Sequence, residues 1–298
     1  MIAILGASGY VGRSLAREFA AENDDLFLFC RDPARLADEV WPPHVHLRCI
    51  DAFRVEEFDL IVNSVGAGDP AKVAGMGADI LAVTQTWDQR VLSSMRKTAR
   101  YVFLSSGAIY GRCDAPASRS SMVGLPVNEL DSMPPYALAK LAAEIRHRHL
   151  PQAHIIDLRI FGYADASIDP NGTFFLADLA RSVKARSAFV TSPDDMVRDY
   201  AGAAELRQVI AAWEHAGAPN TPADLYSRAP IGKHALLDEV ARRYGLEIRY
   251  SGAITAGPTG AKPFYASEFK IAEEFGYFPT RDAREVVLEM LGKVSAAS

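Results

Sequence analysis

The chain opens on a short apolar run, Ile2-Ala-Ile-Leu5, with no polar residue to face solvent. Such a run predicts a strand covered on both faces. Val11, Leu15 and Phe19 then recur at helical spacing, so the strand feeds a helix. The pattern repeats: Leu26-Phe-Leu-Phe-Cys30, Val45-His-Leu-Arg-Cys-Ile50, Leu60-Ile-Val-Asn-Ser-Val65 and Tyr101-Val-Phe-Leu104 read as further strands. Ile80, Val83, Trp87, Val91 and Met95 mark a long helix before the last of these. Pro134 and Pro135 suit the entry of another helix, because a missing N–H costs little in a first helical turn. Farther on, Leu236–Ala241 has a helical pattern and Leu246–Tyr250 a strand pattern. Strands alternating with helices predict an α/β fold with a doubly wound parallel sheet, which carries ligands at the carboxyl ends of its strands. Residues 1–160 are expected to form the bulk of that sheet. Residues 161–298 are expected to build a smaller lobe, with some segments returning to the sheet.

Composition narrows the class. The chain has 298 residues, 49% hydrophobic and 23% charged, enough for one large α/β domain with a smaller companion. A formal charge of -5 points to neither nucleic acid nor an anionic membrane, and no apolar run reaches the length of a membrane span. The immediate entry into a strand leaves no room for a signal peptide. Cys30, Cys49 and Cys113 are widely spaced without Cys-x-x-Cys, which fits a reducing cytoplasm better than a disulfide framework or a zinc site. The pairs His44/His46 and His147/His149 have no acids or cysteines clustered nearby in sequence, so no metal is expected. The basic run Arg146-His-Arg-His149 reads as a solvated helix face. The Pro-, Gly- and Ser-rich pieces at 112–126 and 251–263 read as ligand-side loops.

Between the first strand and its helix lies Gly6-Ala-Ser-Gly9-Tyr-Val-Gly12. In a dinucleotide-binding unit the first glycine permits the tight turn, the second lets backbone approach a pyrophosphate, and the third lets helix pack on strand. The helix N-terminus adds unpaired N–H groups and positive potential. Cofactor contacts are therefore expected from Gly6, Ser8, Gly9, Tyr10, Val11 and Gly12. An acid closing the second strand would hold the 2′-hydroxyl of NAD, whereas an arginine takes the 2′-phosphate of NADP. Here Arg31 follows Cys30, which favours NADP, while Asp32 one place later leaves NAD open. Asp51 is a candidate contact to the adenine ring, and Val65 and Gly66 end the fourth strand beside the expected cofactor.

The fifth strand runs into Ser105-Ser106-Gly-Ala-Ile-Tyr-Gly111, which places hydroxyls at the ligand-bearing edge. Thirty residues on stands Tyr136-Ala-Leu-Ala-Lys140, a phenol and an ammonium one helical turn apart. A free phenol has a pKa of about 10. A nearby ammonium favours the phenolate and brings the group closer to useful acid–base range.

The glycine trio, the Phe103–Gly111 segment and Tyr136-x-x-x-Lys140 together resemble the extended short-chain dehydrogenase/reductases, the NAD-dependent epimerase/dehydratase type that modifies nucleotide-sugars. The resemblance continues through Leu158-Arg-Ile-Phe161, Val197-Arg-Asp-Tyr200, and Tyr265-Ala-Ser-Glu-Phe-Lys270 with Glu274-Phe-Gly-Tyr-Phe-Pro279, the last two resembling the family's closing helix and ending. It implies a Rossmann-type fold with a C-terminal substrate lobe. It also implies Tyr136 as general acid–base, Lys140 on the nicotinamide ribose, and Ser106 on the same substrate oxygen. Ser105 is expected at the cofactor, and Arg198 and Lys262 at the nucleotide-sugar. It further implies a homodimer through two helices of each subunit. With Arg31, the expected reaction is NADPH-dependent reduction of a 4-keto-sugar. The alternatives are a 4-epimerase with tightly bound NAD, and a non-catalytic NADP-binding sensor or scaffold. Dehydration would want an Asp-Glu pair where Gly107 and Ala108 stand. The chain departs from the family in having no asparagine in Ala82-Val-Thr-Gln-Thr86 and in placing Gly162 after Phe161.

Overall fold

In the computed structural model, residues 1–22, 24–66, 70–111, 114–252 and 263–296 are described. Lys262, Cys113 and Gly68 lie outside these segments. The first strand, β1 (Ile2–Leu5), is buried at every position. It is flanked by β2 (Leu26–Cys30) on one side and β4 (Leu60–Asn63) on the other. Outside them lie β3 (Val45–Cys49), β5 (Arg100–Ser106) and β6 (His154–Ile160). A strand from the second half of the chain, β7 (Thr221–Leu225), pairs parallel with β6 at the edge. The sheet order is β7-β6-β5-β4-β1-β2-β3, with every pairing parallel. The order reverses between β1 and β4, so a crevice opens there at the carboxyl ends of the strands.

Alternation along the strands sends side chains to both faces. Ile2, Ile4, Leu26, Leu28, Val102 and Leu158 face α1 (Tyr10–Ala20) and the helix Ala203–His215. Ala3, Leu5, Ile61, Tyr101 and Phe103 face the other side, where α2 (Asp79–Ser94) and α3 (Pro135–Arg148) pack through Val91 and Ala143. A separate apolar cluster joins Leu176, Leu179, Leu237, Val240, Val287 and Leu291.

The segment 265–270, read from sequence as part of the closing helix, is not helical. Phe264–Tyr265 is a short strand parallel to Val197–Arg198, followed by a 3-10 turn at Ile271–Phe275. Ser267 explains the difference. Its hydroxyl donates to the buried Asp224 carboxylate and accepts from Phe269 N–H, so it pins the backbone in a turn. The last helix is Ala283–Ala296.

Candidate active site

The turn between β1 and α1 depends on its glycines. Gly6 has φ of +74°, and a Cβ there would lie 2.9 Å from the Ser64 backbone. A Cβ on Gly12 would lie 2.5 Å from Gly6 O and 2.6 Å from Ser64 Oγ. Gly9 N–H donates to Gly6 O at 2.9 Å, closing the turn. The result is backbone with no side chains over it at the start of an 11-residue helix, a cradle that fits a pyrophosphate. Gly12→Ala is expected to destabilise the protein by about 1–3 kcal/mol, as overpacking does, and to weaken nicotinamide cofactor binding. Urea unfolding and a cofactor titration check both.

The other expected cofactor contacts fall into two groups. Ser8 and Val11 belong to this turn and helix start, and Val65 and Gly66 follow β4, with the Val65 backbone against Gly6. Arg31 and Asp51 are exposed at the ends of β2 and β3, and the Asp32 carboxylate accepts from Ala34 N–H. Two hydroxyls face elsewhere. Tyr10 begins α1, but its phenol accepts from Asp165 N–H at 2.9 Å. The Ser105 hydroxyl donates to the buried carboxylate of Glu144 at 2.5 Å. Arg159 forks onto the same carboxylate, with Nε and Nη2 at 2.6–3.1 Å. The pairing of Glu144 with Arg159 is not evident in the sequence, although Glu144 continues the i, i+4 series Tyr136, Lys140 on one helix face.

Ser106, Tyr136 and Lys140 come together at the carboxyl ends of β4 and β5. Lys140 is 4% exposed. Its Nζ donates to Leu104 O at 2.7 Å and sits 4.5 Å above the Phe103 ring. A Cβ on Gly66 would be 3.9 Å from that ammonium, so the lysine reaches the end of β4. Burial pushes the Lys140 pKa down to about 8. Tyr136 differs from the sequence expectation in its electrostatics. Burial pushes its phenol above the usual value, and the hydrogen bond with Ser106 opposes this. Lys140 Nζ is 5.8 Å from the phenol ring centre and committed to Leu104 O. Ser106 Oγ also accepts from Ala108 N–H at 3.1 Å and lies 3.2 Å from the Tyr265 hydroxyl. Beside Tyr136, a cavity of about 410 Å³ is lined largely by apolar side chains, including Val123, Leu125 and Leu138.

Arg198 lies on the short strand beside Tyr265, with Nη1 donating to Val197 O and the guanidinium 5.9 Å from the Tyr265 ring centre. Gly162, where the family carries asparagine, is explained by close backbone approach: a Cβ there would lie 2.3 Å from Asp199 O. The basic run read as a solvated face is not one. His147 is 0% exposed, wedged between Asp88 of α2 and Asp157 of β6 at 2.7 and 2.5 Å. Arg146 and Arg148 bind the outer oxygens of the same two acids. The partners come from distant segments, which a local reading of charge does not reveal.

A doubly wound sheet with a glycine cradle at its switch point, and a Ser, Tyr and Lys gathered beside it, is an arrangement that suits a nicotinamide-nucleotide enzyme. Residues 2–200 match the NAD dependent epimerase/dehydratase family, and the chain belongs to it. The fold also matches solved structures over nearly their full lengths. The UDP-N-acetylglucosamine 4-epimerase from Methanobrevibacter ruminantium M1, in complex with UDP-N-acetylmuramic acid, superposes with a TM-score of 0.81 at 14% identity, covering 100% of this chain and 98% of that one. The UDP-glucuronic acid 4-epimerase from Bacillus cereus, in complex with UDP-glucuronic acid and NAD, gives 0.79 at 12% identity, covering 100% and 99%. The dTDP-glucose 4,6-dehydratase from Bacillus anthracis str. Ames, in complex with NAD, gives 0.76 at 13% identity, covering 99% and 96%. No curated protein sequence matches the chain.

Proposed function

We propose that this enzyme is an epimerase acting at C4 of a nucleotide-linked sugar, with NAD kept in the site through the cycle. The observation that carries this reading is the meeting of Ser106, Tyr136 and Lys140 beside Gly66. In this reading Tyr136 Oη accepts the proton of the C4 hydroxyl and later returns it. Ser106 Oγ hydrogen-bonds the same oxygen, stabilising the charge that develops there. Lys140 holds the nicotinamide ribose and keeps a positive charge near the phenol. Held there, NAD would supply reversible hydride transfer at C4. Arg198 meets the nucleotide-diphosphate part of the substrate with directional charge-assisted hydrogen bonds.

Family membership and the 4-epimerases among the solved relatives favour this over the reductase that Arg31 suggested. Dehydration fits less well. A Cβ on Gly107 would lie 2.6 Å from the Phe161 ring, so that position does not take an acid without displacing the ring. NADPH-dependent reduction of a 4-keto-sugar stands as a second reading, because Arg31 is exposed where a 2′-phosphate would lie and Asp32 already caps a turn.

Incubation of the purified protein with NAD and UDP-hexoses, followed by NMR, tests the choice. The expected result is equilibration of two C4 epimers without net cofactor consumption. Consumption of NADPH in step with loss of a 4-keto-sugar, with no epimer formed, would establish the reductase instead.

A further inference from the structure

Tyr265 brings a second phenol to the site that the proposed reaction leaves unused. Its backbone is fixed by pairing with Val197–Arg198, where Asp199 N–H donates to Tyr265 O at 3.1 Å. Its ring packs on Phe161 with centres 5.1 Å apart. Phe161 is held in turn against Gly107 and stacked on Tyr110 at 5.8 Å. This aromatic stack presents the Tyr265 hydroxyl 3.2 Å from Ser106 Oγ.

A serine hydroxyl has one proton to donate and two acceptor positions. Ala108 N–H occupies one acceptor position of Ser106. We infer that Tyr265 is a positioning residue: its O–H fills the second acceptor position of Ser106, so the Ser106 proton is aimed at the substrate oxygen on which Tyr136 acts. This rests on the roles proposed above for Ser106 and Tyr136. Without the Tyr265 hydroxyl the serine rotor is free to turn. The lost alignment affects the transition state more than ground-state binding.

Tyr265→Phe keeps the ring and its stack and removes only the hydroxyl. Its kcat is expected to fall about tenfold, less than loss of a direct donor would cost, with KM within about twofold and cofactor affinity unaltered. Ser106→Ala combined with Tyr265→Phe is expected to be no slower than Ser106→Ala alone, because groups acting as a unit are not additive. A Tyr265→Phe enzyme with full kcat overturns the inference, as do losses that multiply in the double variant; both leave the proposed reaction standing if Ser106→Ala and Tyr136→Phe are impaired. If those two single variants turn over normally, the proposed reaction fails and the inference with it.

Discussion

Tyr136→Phe is expected to lower turnover by about 10²- to 10⁴-fold, the range carried by a positioned general acid–base, while leaving NAD binding unchanged. The substitution removes one oxygen and keeps the ring, which packs in α3 beside the cavity next to Ser106. Every group assigned to the cofactor, from the glycine cradle to Lys140, stays in place, so a loss confined to kcat locates the effect in proton transfer. Steady-state kinetics with a parallel cofactor titration checks it, and an unchanged kcat would assign the proton to another group. Burial raises the Tyr136 phenol and lowers Lys140 to about 8. The phenolate is therefore favoured by rising pH, whereas the ammonium beside it is lost above about pH 8, so turnover should fall on both sides of an optimum.

His147→Ala is expected to destabilise the fold by about 3–5 kcal/mol, the scale for removing one member of a buried ion pair. The imidazole is clamped between Asp157 and Asp88, and Tyr101 also donates to Asp88 at 3.1 Å. Burial alone would lower the His147 pKa, but the two carboxylates outweigh it and raise it to about 9. The sign follows from proton counting. Between pH 6.5 and 9 the folded protein holds a proton at His147 that the unfolded chain has released. The stabilisation is thus complete below about 6.5 and is lost as pH rises through about 9, amounting to about 3 kcal/mol. Lys140, whose pKa burial lowers to about 8, acts in the opposite sense from about pH 8 up to its ordinary range. The gap between wild type and His147→Ala isolates the histidine. Urea unfolding at pH 6.5 and at pH 9.5 should show that gap shrinking, and a gap that is small and independent of pH would mean that the imidazole is neutral.

The network has a positional consequence. It ties α2, α3 and β6 together below Lys140 on α3, and it continues through Tyr101 to Asn63, whose side chain accepts from Val65 N–H at the end of β4. The helix that carries Tyr136 and the strand end beside the cradle are therefore held by one connected set of polar contacts.

What could be read from the residues alone follows a physical line. The strands β1, β2 and β4 are legible because a strand buried on both faces must be apolar, and Ile2–Leu5, Leu26–Cys30 and Leu60–Val62 are. The glycine turn is legible because its close contacts exclude side chains, a requirement carried by residue type and spacing. Tyr136 and Lys140 are legible because a helix fixes the relation between i and i+4. Polar groups that matter through distant partners are not legible in this way. Arg146-His-Arg-His149 looks solvated until Asp88 and Asp157 arrive from other elements, although an acid in the middle of the apolar run His154–Ile160 was a signal. Ser105 and Ser106 are adjacent, yet strand alternation sends the first to Glu144 and the second to Tyr265. Tyr265 belongs to a segment whose expected helix gives way to a strand and turn once Ser267 meets Asp224.

The most direct test of the central claim is a crystal structure with NAD and a nucleotide-sugar bound. The expected result places the nicotinamide ribose on Lys140 Nζ, and the C4 oxygen of the sugar within hydrogen-bond reach, about 2.6–3.2 Å, of both Tyr136 Oη and Ser106 Oγ. A nicotinamide seated away from the crevice between β1 and β4, or a Tyr136 hydroxyl turned from the sugar, would contradict it.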